Sequence, residues 1–103
     1  MKRGAVWWAS FPAPAGRRPA LIVSRQTLPA DATRITVVEL STVIRDLPTE
    51  VRLGKAEGLP LPCVANTDNL VTVPKACLTD RLKMLPAAKV AELDAALRFA
   101  LGL

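Results

Sequence analysis

The chain has no histidine and no tyrosine, only two cysteines, and aromatic residues at 4% of its 103 positions. Without histidine, a Ser-His-Asp or Cys-His centre is excluded, and so are the histidine-containing zinc sites. Cys63 and Cys77 are too far apart for a CxxC motif. They read as buried apolar residues kept reduced. With so few aromatics, the core must be aliphatic, built from Val, Leu, Ile and Ala. No apolar run reaches the length of a membrane-crossing helix. Val6-Trp7-Trp8-Ala9, behind the basic start Met1-Lys2-Arg3-Gly4, is too short for the apolar part of a signal peptide. The expectation is a cytoplasmic protein with no membrane attachment, no metal site and no cofactor.

What is present is a hydrophobic content of 50%, which argues against disorder. The length suits one small domain spanning 1–103 with a modest core, and such a chain gains stability by forming a homodimer. The net charge of +5 is uneven. Residues 1–55 hold nine Lys/Arg against four Asp/Glu, whereas residues 56–103 hold five of each. A basic half points to a polyanion or an acidic protein partner. Within it, Gly16-Arg17-Arg18-Pro19 runs directly into Ala20-Leu21-Ile22-Val23-Ser24. Two guanidinium groups at the rim of a buried strand put forked donors on a rigid support, which suits phosphate.

Frequent proline and glycine through residue 62 favour short strands over helices. Strands are expected at 6–9, 19–25, 34–40, 50–53, 63–65 and 70–73, with Asn66-Thr67-Asp68-Asn69 as a polar turn between the last two. Elements at this spacing make a small, strongly bent antiparallel sheet or partial barrel. After Pro86 the period changes. Residues 87–101 form a helix closed by Gly102, with Val90, Leu93, Leu97, Ala100 and Leu101 on its core face and Phe99 on the other. Asp94 and Arg98 have the spacing of a favourable i,i+4 pair. The fold class is therefore mainly β with a C-terminal helix.

Five blocks, in order and across essentially the whole chain, resemble the MazF/PemK family of toxin endoribonucleases. They are Lys2-Arg3-Gly4-Ala5-Val6-Trp7-Trp8, then Gly16-Arg17-Arg18-Pro19 with Leu21-Ile22-Val23-Ser24, then Val37-Val38-Glu39-Leu40-Ser41-Thr42. Leu47-Pro48-Thr49-Glu50-Val51 and Asp68-Asn69-Leu70-Val71-Thr72-Val73-Pro74-Lys75 complete the series. The resemblance implies a PemK/CcdB-type, SH3-like partial barrel acting as a homodimer. It also implies metal-independent, sequence-selective cleavage of single-stranded RNA through its 2′-hydroxyl, and neutralisation by a small acidic antitoxin of the MazE type.

Carried over residue by residue, the resemblance makes Arg18 the catalytic arginine, a clamp for charge developing on the phosphate. Ser41 stands where the family usually has a catalytic threonine, and Thr42 can share its task. Asn66 and Asp68 match positions that bind or act on RNA in some members, Asp68 as a candidate proton acceptor; equally, they belong to an ordinary hydrogen-bonding turn. Arg17, Arg25 and Arg45 are candidates for RNA-backbone contacts, and Trp8 and Phe11 for stacking on bases. Two positions depart from the pattern. Ala5 replaces a common acidic residue, so an ion pair organising the loop before Arg18 is lost, and Glu39 replaces a frequent proline, adding negative charge beside the phosphate path. Two other functions remain open on the same fold: a non-catalytic CcdB-like inhibitor of a protein such as DNA gyrase, and a degenerate homologue that binds RNA without cutting it.

Overall fold

Alternating side chains along the first three strands divide the molecule into two apolar layers. The computed structural model describes all of residues 1–103 and begins with β1 (Ala5–Ser10), β2 (Arg17–Ile22) and β3 (Arg34–Ser41). Successive residues of a strand face opposite ways. Val6, Leu21, Val38 and Leu40 thus join one buried cluster, while Ala5, Ala9, Ala20, Ile22, Ile35 and Val37 join another on the opposite face. The first cluster is covered by the C-terminal helix through Leu93 and Ala96; the second is closed by Trp7, Phe11, Leu28, Cys77 and Met84.

The sheet is completed by β4 (Glu50–Leu53), β5 (Cys63–Pro74) and β6 (Leu78–Met84), and the helix is α1 (Ala87–Leu101). All neighbours are antiparallel, in the order β4-β5-β3-β2-β1-β6. The result is a curled, six-stranded half-barrel with one helix. The first and last strands lie side by side, Trp8 opposite Asp80, with bulges on either side of the Trp7-Trp8 pair.

Several sequence expectations need correction. The strand expected at 19–25 starts two residues earlier, at Arg17, and stops at Ile22. Beyond it, Val23 and Ser24 both donate backbone N–H groups to the Thr36 carbonyl, and Ser24 Oγ accepts from Thr36 N at 2.7 Å, which closes the strand end. The turn expected at 66–69 is instead part of the continuous 12-residue β5. Two steps along β3, from Val38 to Leu40, correspond to five along β5, from Leu70 to Ala65, so the extra residues bend the strand without ending it. Buried Thr67 fixes that bend: its backbone N–H and its hydroxyl both reach the Thr49 carbonyl, at 2.8 and 2.7 Å, and the hydroxyl is also 3.2 Å from the Ala96 carbonyl of α1. Strand β6 was not expected at all, because its charged Asp80, Arg81 and Lys83 and its bulged register hide the alternation.

The helix bounds agree with the expectation, with Gly102 closing it at φ +70°. Its packed stripe is Val90, Leu93, Ala96 and Leu97, whereas Leu101 is exposed because the final turn passes beyond the cluster. Asp94 pairs with Arg3 at 2.7 Å, not with Arg98, since the N-terminal segment crosses that side of the helix. Gly4 makes the crossing possible. It has φ +89°, and a Cβ there would stand 3.0 Å from Val90 Cγ2 and 3.1 Å from Met84 Cε. Of the two cysteines, Cys63 is buried but Cys77 is only partly so, and both are free.

Leu93→Ala is expected to lower stability by about 2–5 kcal/mol, since Leu93 is wholly buried between helix and sheet. Thr67→Val, which keeps the shape and removes the hydroxyl, should cost about 1–2 kcal/mol. Urea unfolding monitored by circular dichroism measures both.

Candidate functional site

At the end of the sheet where β2 begins and β3 finishes, a groove of about 150 Å³ opens on the helix side. Its walls are Trp8 of β1, Pro19 of β2, Leu40 and Ser41 of β3, and Cys63 of β5, together with Thr42 and the loop residues Leu59, Pro60 and Leu61. The 59–61 loop is held by the buried Glu57 carboxylate, which accepts the Gly54 N–H at 2.7 Å. Burial, reinforced by the negative charge of Glu57, pushes the Cys63 thiol above its ordinary range. The groove floor is thus apolar, with a protonated thiol, and its polar groups are on the rim.

The two adjacent arginines leave the sheet in opposite directions. Arg17 shares the helix-side face with Trp8 and Pro19; its guanidinium lies 4.7 Å over the Trp8 ring and pairs with Asp80 at 2.8 Å. Arg18 pairs across the strands with Ala9, on the other face. Its Nε donates to the Ala15 carbonyl at 3.1 Å, leaving both terminal nitrogens of the fork without a partner. The loop before it is shaped by Phe11 N–H to the Gly16 carbonyl at 2.9 Å and Ala15 N–H to the Pro12 carbonyl at 3.2 Å. Gly16 turns the chain into β2 at φ +67°. That loop is built from backbone bonds and does not depend on position 5. Ala5 is 2% exposed inside the second cluster, at the opposite end of β1 from that loop.

Strand register brings the other candidates to the Arg18 face. Ala20 pairs with Glu39 on β3. The paired register ends there, and by alternation Arg18 on β2 and Ser41 on β3 lie on the same face of the sheet as Ala20 and Glu39. On β5, Ser41 pairs with Val64 and Leu40 with Ala65, and the pairing is interrupted at Glu39 before it resumes with Val38 and Leu70. Arg18, Glu39 and Ser41 therefore share the face opposite the helix, and Asn66, next to Ala65 of the helix-side cluster, alternates onto it as well. Glu39 also shares a shallow depression with Asp68, Asn69, Leu70 and Val71. Ser41 is half-buried with Oγ accepting the Val43 N–H at 3.1 Å, which leaves its hydroxyl proton free to be donated. Thr42 is exposed beside it. Asn66 Oδ1 is occupied by Thr49 Oγ1 and Asp68 N–H, both at 3.0 Å, which leaves its amide nitrogen outward.

Arg25 and Arg45 are not gathered here. Arg25 lies past the far end of β2, in a separate cavity with Lys75. Arg45 sits in the 42–49 loop, where its backbone N–H, and not its side chain, is held by Glu50 at 3.0 Å. Glu50 also accepts from Leu47 N–H at 3.3 Å and so sets the shape of the loop following Ser41 and Thr42. Phe11 packs against the second cluster. Sequence reasoning missed Glu50 and Asp80. A carboxylate just after a Leu-Pro-Thr loop was a signal for the first, but nothing local marked the second.

The fold and its rim define a small antiparallel half-barrel with an arginine–hydroxyl face beside an apolar groove. Residues 2–101 match the family of PemK-like, MazF-like toxins of type II toxin–antitoxin systems, and the chain belongs to that family. Among curated proteins it is 33% identical over 103 residues to probable endoribonuclease MazF2 of Mycobacterium tuberculosis, covering 99% of each. Among solved structures it resembles the M. tuberculosis toxin MazF-mt6, with TM-score 0.87, 30% identity and coverage of 96% of this chain and 97% of that one. It is similarly close to a mycobacterial endoribonuclease in complex with its cognate antitoxin, with TM-score 0.87, 33% identity and coverage of 100% and 96%. No helix is long and apolar enough to cross a membrane.

Because its thiol is raised and buried, Cys63 should react slowly with iodoacetamide at neutral pH. The thiolate fraction is depressed at every pH below the raised value, so labelling should accelerate only above the ordinary thiol range. Mass spectrometry of peptides after timed alkylation reads this directly.

Proposed function

We propose that this chain is the toxin of a type II toxin–antitoxin pair and acts as a sequence-selective endoribonuclease on single-stranded RNA. The observation that carries the reading is the match of residues 2–101 to a family of such toxins, and it is supported by Arg18 and Ser41 lying on one face of the sheet. Relatives are named endoribonucleases, and one similar structure holds a cognate antitoxin. The CcdB-like alternative is not favoured by these relatives. A small acidic antitoxin is the protein partner, matched to the basic half of the chain. The working form is a cytoplasmic homodimer.

In this mechanism the substrate supplies the nucleophile. The 2′-oxygen attacks the adjacent phosphorus as its proton leaves, and the bond to the 5′-oxygen breaks as that oxygen gains a proton. The products are a 2′,3′-cyclic phosphate and a 5′-hydroxyl end. Arg18 clamps the phosphate with its free fork and stabilises the charge that builds on it. Its high intrinsic pKa suits this role better than that of a base. Ser41 donates its hydroxyl to a phosphate oxygen or holds the 2′-OH, with Thr42 beside it. Asp68 is the proton acceptor in a chain without histidine, and Asn66 offers its outward amide to a base. Arg17 contacts the RNA backbone at the groove edge, whereas Arg25 and Arg45 lie away from this site.

The test is purified protein with a long single-stranded RNA in EDTA, with fragment 5′ ends mapped. Cleavage at a short recurring sequence is expected, abolished by 2′-deoxy substitution at the scissile nucleotide. Arg18→Ala should lower kcat about 10²–10³-fold, with little recovery in Arg18→Lys. Equal rates for wild type and Arg18→Ala would remove Arg18 from the site. Gyrase inhibition without RNA cuts would replace the whole reading.

A further inference from the structure

Arg17, Trp8 and Asp80 come from three adjacent strands, and their arrangement is more specific than a surface charge needs. Asp80 pairs directly across from Trp8, and the neighbouring Thr79 hydroxyl donates to the Trp8 carbonyl at 3.3 Å. One end of the Arg17 fork meets Asp80 Oδ2 at 2.8 Å while the guanidinium carbon stands 4.7 Å over the indole. Arg81, the next residue, pairs with Trp7 and so faces the other side of the sheet. Arg17 therefore has one carboxylate and one ring as its fixed partners.

We propose that Asp80 is a positioning residue that parks Arg17 on Trp8 in the free protein, and that a phosphate of bound single-stranded RNA displaces it. This rests on the reading of the chain as an RNA-cleaving enzyme. A phosphate presents the same paired oxygens to a guanidinium as a carboxylate does. The side chains of Arg17 and Asp80 are 55% and 64% exposed, so exchanging one anion for the other strands no charge in the interior. Trp8 holds the guanidinium through the exchange, so the cation is already oriented when the phosphate arrives. The cost is competition: a phosphate that takes the Arg17 nitrogen held by Asp80 must displace the resident carboxylate. Asp80 thus sets an affinity threshold for the groove edge and keeps the cation from being taken by weakly bound anions.

A double-mutant cycle on the full chain tests this, using an uncleavable 2′-O-methyl single-stranded RNA and fluorescence anisotropy at low salt. Asp80→Asn should tighten binding by about two- to fivefold, the range of an exposed ion pair, and the gain should fade as salt rises. In the Arg17→Ala background the same substitution should change affinity less than about 1.5-fold. On cleavable RNA, the gain should fall on KM and not on kcat. An equal gain in both backgrounds would show a general charge effect and overturn the proposal, as would no gain at all. Failure of wild type and every variant to bind the RNA would instead overturn the functional reading beneath it.

Discussion

Adjacent residues of a strand leave a sheet on opposite sides, and this pleat governs the chemistry of β2. Arg17 and Arg18 are neighbours in sequence and carry the same charge, yet they serve different surfaces. One stacks on Trp8 at the edge of an apolar groove; the other shares the opposite face with Ser41. A one-residue slip of β2 would exchange them and at the same time drive Leu21 out of the helix-side cluster. The buried identities of Ala20, Leu21 and Ile22 thus hold the assignment of the two arginines. Packing energy deep in the sheet is what aims the charge at its rim.

The rim itself is shaped by carboxylates used as structural acceptors. Glu50 gathers the backbone of the loop that follows Ser41 and Thr42, and Glu57 closes the loop that walls the groove. In a protein with net charge +5, these acids replace backbone partners that short loops cannot supply. The cations are left comparatively free. Arg18 commits one of its nitrogens, to the Ala15 carbonyl, and keeps the remainder.

Much of this was legible in the sequence, for reasons that are local. Pro86 and Gly102 bracketed the helix because their backbone preferences act at a single position. The β-branched run at 34–40 and the apolar run near 20 announced central strands. What local signals concealed depended on partners far along the chain. The polar residues 66–69 read as a turn, but Thr67 finds carbonyls on Thr49 and Ala96, and those distant contacts keep the strand extended. Strand β6 was hidden for the same reason: its pairing with β1 compensates for weak propensity. Of the candidate site, the pattern singled out Arg18, Ser41 and Asn66, and alternation along β2, β3 and β5 puts them on one face. The different fates of Arg17 and Arg25 needed the geometry of β2 to resolve, one at each end of the strand.

The pairing of the first strand with the last has a consequence for how the molecule comes into being. β1 is made before the other strands, but its outer edge stays unpaired until Leu78–Met84 has emerged. Contacts of such long sequence separation form late, because a large loop must close before they are rewarded. Trp8 meets Asp80 only after the whole stretch between them has been made. The edge that carries Arg17 and the Trp8 ring is therefore among the last parts of the sheet to be completed.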